Sequence, residues 1–151
     1  MHTPQSHRLR TGRYAEQGRI YLITLVVEDR QPLFADWITG RPIIQALKAA
    51  HAEGEVESLS WVLMPDHLHW LFELKTETLG RVVCRLKSRS TVVFNRHQGR
   101  HGRLWQAGFH DRALRREQDL KAVARYIVAN PLRAGLAENI GGYCLWDAAW
   151  L

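Results

Sequence analysis

The stretch that most constrains the fold is Trp61-Val62-Leu63-Met64-Pro65-Asp66-His67-Leu68-His69-Trp70-Leu71-Phe72-Glu73-Leu74. Apolar, β-forming residues stand on both sides of Pro65-Asp66. Proline has no N–H to give to a central ladder, so it belongs at a turn. A connection this short joins two antiparallel strands in a hairpin. Side chains alternate faces along a strand. Leu68, Trp70, Phe72 and Leu74 therefore share one face and can pack a core. His67 and His69 share the other with Leu71 and Glu73. Two imidazoles on one rigid strand face make half of a site for a divalent ion. Satisfied or surface histidines give the same pattern, and His67-Leu68-His69 alone does not separate the two.

The rest of the chain supplies the other elements. Ile20 to Val27 is apolar on both faces, as a central strand is, and Glu28 to Pro32 is a polar break. Thr39-Gly40-Arg41-Pro42 begins a helix, with Pro42 tolerated in the first turn. Ile43, Ile44, Leu47 and Ala50 carry helical spacing to about Ala52, and Gly54 stops it. Val56 to Met64 is the first arm of the hairpin. Thr76-Glu77-Thr78-Leu79 opens a long helix to about His97, whose inner stripe is Leu79, Val82, Val83, Leu86, Ser90 and Val93. A short strand spans Phe109 to Leu114; His110 and Asp111 in it are either site contributors or polar strand-edge residues. Glu117 to Asn130 is a third helix with Leu120, Val123, Ala124 and Ile127 inward, and Pro131 ends it at Asn130. Tyr126 and Asn130 stand on one face of that helix. Gly135 is a turn glycine, and the aromatic tail packs back on the domain.

The order β-α-β-β-α-β-α fits an α+β fold, a ferredoxin-like split β-α-β sandwich with helices packed on an antiparallel sheet. The 151 residues suit a single domain, 1–151, with a basic N-terminal arm at 1–18 and an aromatic C-terminal tail at 137–151.

The formal net charge is +6. Lysine stands only at positions 48, 75, 87 and 121, so the rest of the 21 basic residues are arginines. Arginine grips phosphate in a bidentate way, which points to nucleic acid. Arg81, Arg85, Arg89 and Arg96 form a row on a second face of the long helix. Such a row without acid partners repels itself and suits a phosphate backbone; a merely solvated face is the ordinary alternative. Arg8, Arg10 and Arg13 make the N-terminal segment a basic arm. No apolar run approaches the ~20 residues that cross a bilayer, and Met1 to Arg13 lacks the apolar region of a secretory signal. Cys84 and Cys144 form no CxxC and suggest neither a zinc ribbon nor a disulfide framework. The expected setting is cytoplasmic, with no membrane partner.

Three ordered motifs carry a resemblance. Val62-Leu63-Met64-Pro65-Asp66-His67-Leu68-His69 resembles the HUH motif of single-tyrosine transposases. Tyr126-Ile127-Val128-Ala129-Asn130-Pro131-Leu132-Arg133-Ala134-Gly135-Leu136 is similar to their tyrosine motif. Leu104-Trp105-Gln106-Ala107-Gly108-Phe109-His110-Asp111 resembles the segment between the two. Over residues 18–136 the chain thus resembles the REP-associated tyrosine transposases. Tyr143-Cys144-Leu145-Trp146-Asp147 departs from the Tyr-Pro-Trp-Ser-like ending expected there.

The resemblance implies that His67 and His69 ligate a divalent metal, Mg²⁺ or Mn²⁺, and that Tyr126 is the nucleophile. Asn130 would be the third protein ligand, its amide oxygen a hard donor like the glutamine that other members carry there. The implied substrates are single-stranded DNA hairpins of repetitive extragenic palindromes, cut through a 5′-phosphotyrosine intermediate and rejoined without ATP. The implied working form is a monomer, whereas dimeric relatives supply the tyrosine in trans. Arg81, Arg85, Arg89, Arg112 and Arg133 are the candidate DNA-backbone contacts, and the arm with Arg8, Arg10 and Arg13 is the candidate for sequence readout. Other readings remain. One is a catalytically silent nucleic-acid-binding module on the same sheet, another an RNA nuclease that forms no covalent adduct. A His-x-His-x-His phosphoesterase would need a third histidine where Leu71 stands.

Overall fold

The hairpin organises the molecule as its alternation requires. The computed structural model describes residues 18–114, 120–139 and 142–148. Its strands are β1 Ile20–Val26, β2 Val56–Met64, β3 His67–Leu74, β4 His110–Leu114 and β5 Trp146–Ala148. They form one sheet in the order β4-β1-β3-β2-β5, and every pairing is antiparallel. Helices α1 Trp37–Ala52 and α2 Leu79–Gln98 pack on one face. Helix α3, Leu120–Val128, packs on the other, and a further turn, α4 Asn130–Arg133, follows it. The first four strands with α1 and α2 are the split β-α-β arrangement. The fifth strand is made by the tail, which packs back on the domain by pairing with the edge of β2.

Leu68, Trp70, Phe72 and Leu74 are buried beneath α1 and α2. Trp70 is fully buried, and its indole N–H donates to Ser58 Oγ at 2.9 Å. Removing so large a ring leaves a cavity and an unpaired hydroxyl. Trp70→Ala is therefore expected to cost about 3–5 kcal/mol, measured as a lowered urea midpoint.

Helix α1 starts earlier than the Thr39–Pro42 stretch suggests. Asp36 is its cap: its carboxylate accepts from the Thr39 N–H at 3.0 Å, and its own N–H donates to Thr39 Oγ1 at 3.2 Å. This reciprocal pair satisfies N–H groups that the first turn would leave open. Pro42 consequently lies inside the helix and is buried. Gly40 lets the tail approach, since a Cβ there would meet Leu63 and Leu145 side-chain carbons at 3.0 Å.

Helix α2 runs from its Thr78 cap to Gly99, whose left-handed φ of 63° closes it. Phe94, rather than Val93, completes the inner stripe, and it meets Phe34 edge-on at 5.4 Å. The arginine row on α2 needs correction, because it does have acid partners. Arg81 pairs with Glu77 at 3.1 Å, Arg85 with Glu55 at 2.7 Å and Glu77 at 3.2 Å, and Arg89 with Glu53 at 2.8 Å. Glu53 and Glu55 come from the turn between α1 and β2, so only tertiary packing delivers them. Glu55 is buried and holds Arg85 against α2.

Candidate active site

Directly opposed residues in an antiparallel sheet share a face. Thr24 lies opposite His69, Val26 opposite His67, and His110 opposite Thr24. Across the other edge, Val62 faces His69 and Trp146 faces Val62. A row His110–Thr24–His69–Val62–Trp146 therefore crosses the sheet on the side where α3 packs.

The two histidines are oriented for a common task. Their rings lie 4.8 Å apart between centroids, at 80°. His67 Nδ1 is 2.6 Å from Asp66 Oδ1, and His69 Nδ1 is 2.9 Å from Thr24 Oγ1. In the tautomer where each Nδ1 carries the hydrogen and donates to these oxygens, each Nε2 keeps its lone pair for a ligand. Burial, then the neighbouring His67, then the Arg133 guanidinium hold the His69 imidazole down at about 4. It is thus neutral near pH 7, the form that binds a cation. Burial pushes the Asp66 carboxyl up, but its hydrogen bond to His67, the charge of His67 and the nearby Arg30 outweigh this, and the net shift is downward. Arg30 Nε donates to Asp66 Oδ2 at 3.3 Å, from a turn where Asp29 and Arg30 both take positive φ, 57° and 50°.

Helix α3 ends sooner than Asn130. It stops at Val128, and Asn130 instead heads α4. Pro131 explains the break, for its ring nitrogen has no hydrogen to give to the Ile127 carbonyl. The Asn130 side chain donates to that carbonyl in its place, Nδ2 to O at 2.7 Å. This commits the amide nitrogen and leaves the oxygen for a ligand. Gly135, at φ 74°, closes the segment as a turn glycine should. Tyr126 is 64% exposed, so its hydroxyl is accessible to a large substrate. Arg133 lies over the Tyr126 ring, 3.9 Å from its centroid, and donates to the Tyr126 carbonyl at 2.9 Å. It sets a cation against the face of the phenol ring.

The fold thus collects some of the expected residues and separates others. His67, His69 and Arg112 share one face of the sheet, and α3 and α4 carry Tyr126, Asn130 and Arg133 on that side. The turn α4 packs against β2, the neighbour of the histidine strand, and the charge of Arg133 reaches His69. Arg81, Arg85 and Arg89 lie on α2, across the sheet. Arg8, Arg10 and Arg13 lie outside the described residues.

By their chemistry, two imidazoles and an amide oxygen are a donor set that suits a divalent cation. Among the described residues, no group of three or more His, Cys, Asp or Glu could hold a metal; a cation at the histidine pair would draw on the Asn130 amide oxygen as a third protein donor. Thr24 and Asp66 were not anticipated. Asp66 reads from the sequence only as a turn residue, and Thr24 is the one aliphatic hydroxyl in an otherwise apolar and aromatic strand, which is the signal that marks it.

Comparison with known proteins agrees with this arrangement. The family described as "Transposase IS200 like" matches residues 17–130. A Haemophilus influenzae protein that carries the name of REP-associated tyrosine transposase is 26% identical over 136 residues, covering 82% of this chain and 76% of its own. A solved REP-associated tyrosine transposase bound to a REP hairpin superposes with a TM-score of 0.71 at 20% identity, over 86% of this chain and 76% of that one. A transposase structure from Deinococcus radiodurans gives a TM-score of 0.55 at 17% identity, over 72% of this chain and 87% of that one. With the family match spanning the hairpin, the histidine pair and the tyrosine helix, the chain belongs to the IS200-like transposase family.

Proposed function

We propose that this protein is a metal-dependent single-strand DNA endonuclease and strand transferase that acts on REP-type hairpins through Tyr126. One observation carries the reading: His67 and His69 are both held at Nδ1, on the side of the sheet where Arg133 stacks on Tyr126. The hairpin-bound relative of the same fold supports the choice of substrate.

In the proposed reaction the Tyr126 hydroxyl attacks a backbone phosphorus and gives up its proton. A phosphorus–oxygen bond to tyrosine forms, the bond to the 3′ oxygen breaks, and that oxygen leaves as a 3′-hydroxyl on taking up a proton. Arg133 orients the ring and offers its guanidinium to the phosphate. A divalent cation, Mg²⁺ or Mn²⁺, held by His67, His69 and Asn130 would neutralise charge on the phosphoryl oxygens. The 5′-phosphotyrosine keeps the phosphodiester energy, so attack by another 3′-hydroxyl joins strands without ATP. Arg112, exposed on the same sheet face, contacts the DNA backbone. The decisive experiment mixes protein, hairpin DNA and Mn²⁺ and resolves the products on a denaturing gel. A protein–DNA band that survives denaturation is expected; hairpin binding with no such band in either strand polarity moves the assignment to a silent binding module.

Two further outcomes follow from the geometry. Arg89 is engaged by Glu53 on the far face, so Arg89→Ala is expected to leave hairpin affinity within about twofold in a gel-shift titration, whereas Arg112→Ala weakens it and lowers its salt dependence by about one counterion. The chain also presents histidines and tyrosine on one side of the same sheet, consistent with a monomer. A mixture of His69→Ala and Tyr126→Phe proteins should accordingly show no restored cleavage; restored cleavage would mean that the tyrosine is supplied in trans.

A further inference from the structure

Between β1 and α1, in the polar break at Glu28 to Pro32, Asp29 and Arg30 both take the left-handed conformation, at φ 57° and 50°. Residues other than glycine seldom do so, and an arginine gains nothing locally from it. Such outliers persist only where the surrounding structure holds them, and they gather at functional sites.

The surrounding structure does hold this one. The Val27 and Phe34 N–H groups, on either side of it, donate to the Asp66 and Pro65 carbonyls at 2.9 and 3.0 Å. The Glu28 N–H donates to the Leu104 carbonyl at 2.9 Å, and the Arg30 N–H closes the turn on the Val27 carbonyl at 2.8 Å. The segment thus straddles the Pro65-Asp66 turn that leads into the histidine strand. From there Arg30 Nε donates to Asp66 Oδ2 at 3.3 Å, while Asp66 Oδ1 stands 2.6 Å from His67 Nδ1. Side-chain exposure falls from 60% at Arg30 to 27% at Asp66 and 18% at His67. The three residues form a chain that runs inward from solvent to the histidine pair.

We propose that Arg30 is a positioning residue for the His67 imidazole, acting through Asp66. A carboxylate only accepts hydrogen bonds, so beside it His67 carries its hydrogen on Nδ1. With one oxygen on His67 and the other unheld, a partly exposed carboxylate is free to rotate into water. Arg30 engages the second oxygen and fixes the rotamer that faces His67. His69 is held differently, by the neutral hydroxyl of Thr24, so loss of Arg30 is felt at His67 alone. The role rests on the proposed metal site at the histidine pair and adds a residue outside the ligand set.

Arg30→Gly is the variant that tests it, since glycine accepts a φ of 50° and keeps the turn. Metal-free protein is labelled with ¹⁵N in histidine, and two-bond ¹H–¹⁵N spectra above neutral pH distinguish hydrogen on Nδ1 from hydrogen on Nε2. The wild type is expected to show His67 with its hydrogen on Nδ1, and Arg30→Gly a mixture of both forms, with the His69 signals unmoved. Calorimetry on the same proteins should find Mn²⁺ bound about tenfold more weakly by Arg30→Gly, the usual size of an outer-partner loss. Arg30→Lys keeps the charge and a donor for this single hydrogen bond and should bind Mn²⁺ like the wild type. The sign of the change is decisive. A positive charge beside a cation site repels the cation, so if Arg30 acted by charge alone its loss would tighten Mn²⁺ binding. Unchanged His67 signals, Mn²⁺ binding as tight as wild type or tighter in Arg30→Gly, or a loss that Arg30→Lys fails to restore each overturn the positioning role and leave the proposed metal site standing. No Mn²⁺ binding by the wild-type protein overturns the metal site itself, and the role of Arg30 with it.

Discussion

Tyr126→Phe should abolish the covalent protein–DNA adduct while leaving hairpin affinity within about twofold, since the change removes a single exposed hydroxyl. Tyr126 meets Arg133 through its ring and its backbone carbonyl. Phenylalanine keeps both contacts, so the helix and the Arg133 stack persist and only the nucleophilic oxygen goes. Removing a nucleophile that acts with its partners as one unit lowers the rate by about 10³-fold or more. The measurement is a single-turnover time course on a denaturing gel beside an equilibrium titration of the same hairpin. Loss of adduct with retained binding identifies the attacking group. An adduct of wild-type yield in Tyr126→Phe would mean that another residue attacks, and the assignment of Tyr126 would fall.

The second large effect concerns the histidine pair. His67→Ala combined with His69→Ala is expected to abolish cleavage, as is EDTA on the wild-type protein, and excess Mn²⁺ should rescue only the latter. The physical reason lies in the orientation of the rings. Asp66 and Thr24 hold the two Nδ1 atoms, so neither ring has to be ordered when a ligand arrives. Thr24→Val tests this support separately. It removes the Oγ1 partner of His69 and should weaken Mn²⁺ binding by about tenfold or more, read by calorimetry on the DNA-free protein. Calorimetry showing equal Mn²⁺ affinity in the wild type and the double alanine variant would remove the histidines from the metal site. Both experiments need a folded control, which far-ultraviolet circular dichroism provides, because His67 and His69 stand in the strand that carries Trp70 and Phe72.

The sheet was legible in the chain because strands announce themselves by a period of two. Leu68, Trp70, Phe72 and Leu74 had to share a face, and a proline at 65 had to sit in a turn. The helix from Leu79 was legible from its inner stripe and the threonine that caps it. The boundaries at α1 and α3 were not, for reasons of local chemistry. A capping box from Asp36 moves the start of α1 forward, and the Asn130 side chain, by replacing the N–H that Pro131 lacks, lets a second helical turn follow where proline alone suggested a stop. The tail read as aromatic packing, and its pairing with β2 depends on a strand edge that is remote in the chain.

By itself the sequence determined the elements, the face shared by His67 and His69, and the family resemblance, because alternation, caps and motifs are properties of neighbours along the chain. Only the tertiary structure decided which charges meet. It paired Arg85 and Arg89 with Glu55 and Glu53, set Thr24 against His69, stacked Arg133 on Tyr126, and brought Arg30 to Asp66. Apart from the Arg133 stack, which forms within consecutive helical turns, these contacts join residues that register and helix packing bring together across the fold, and no local pattern specifies them.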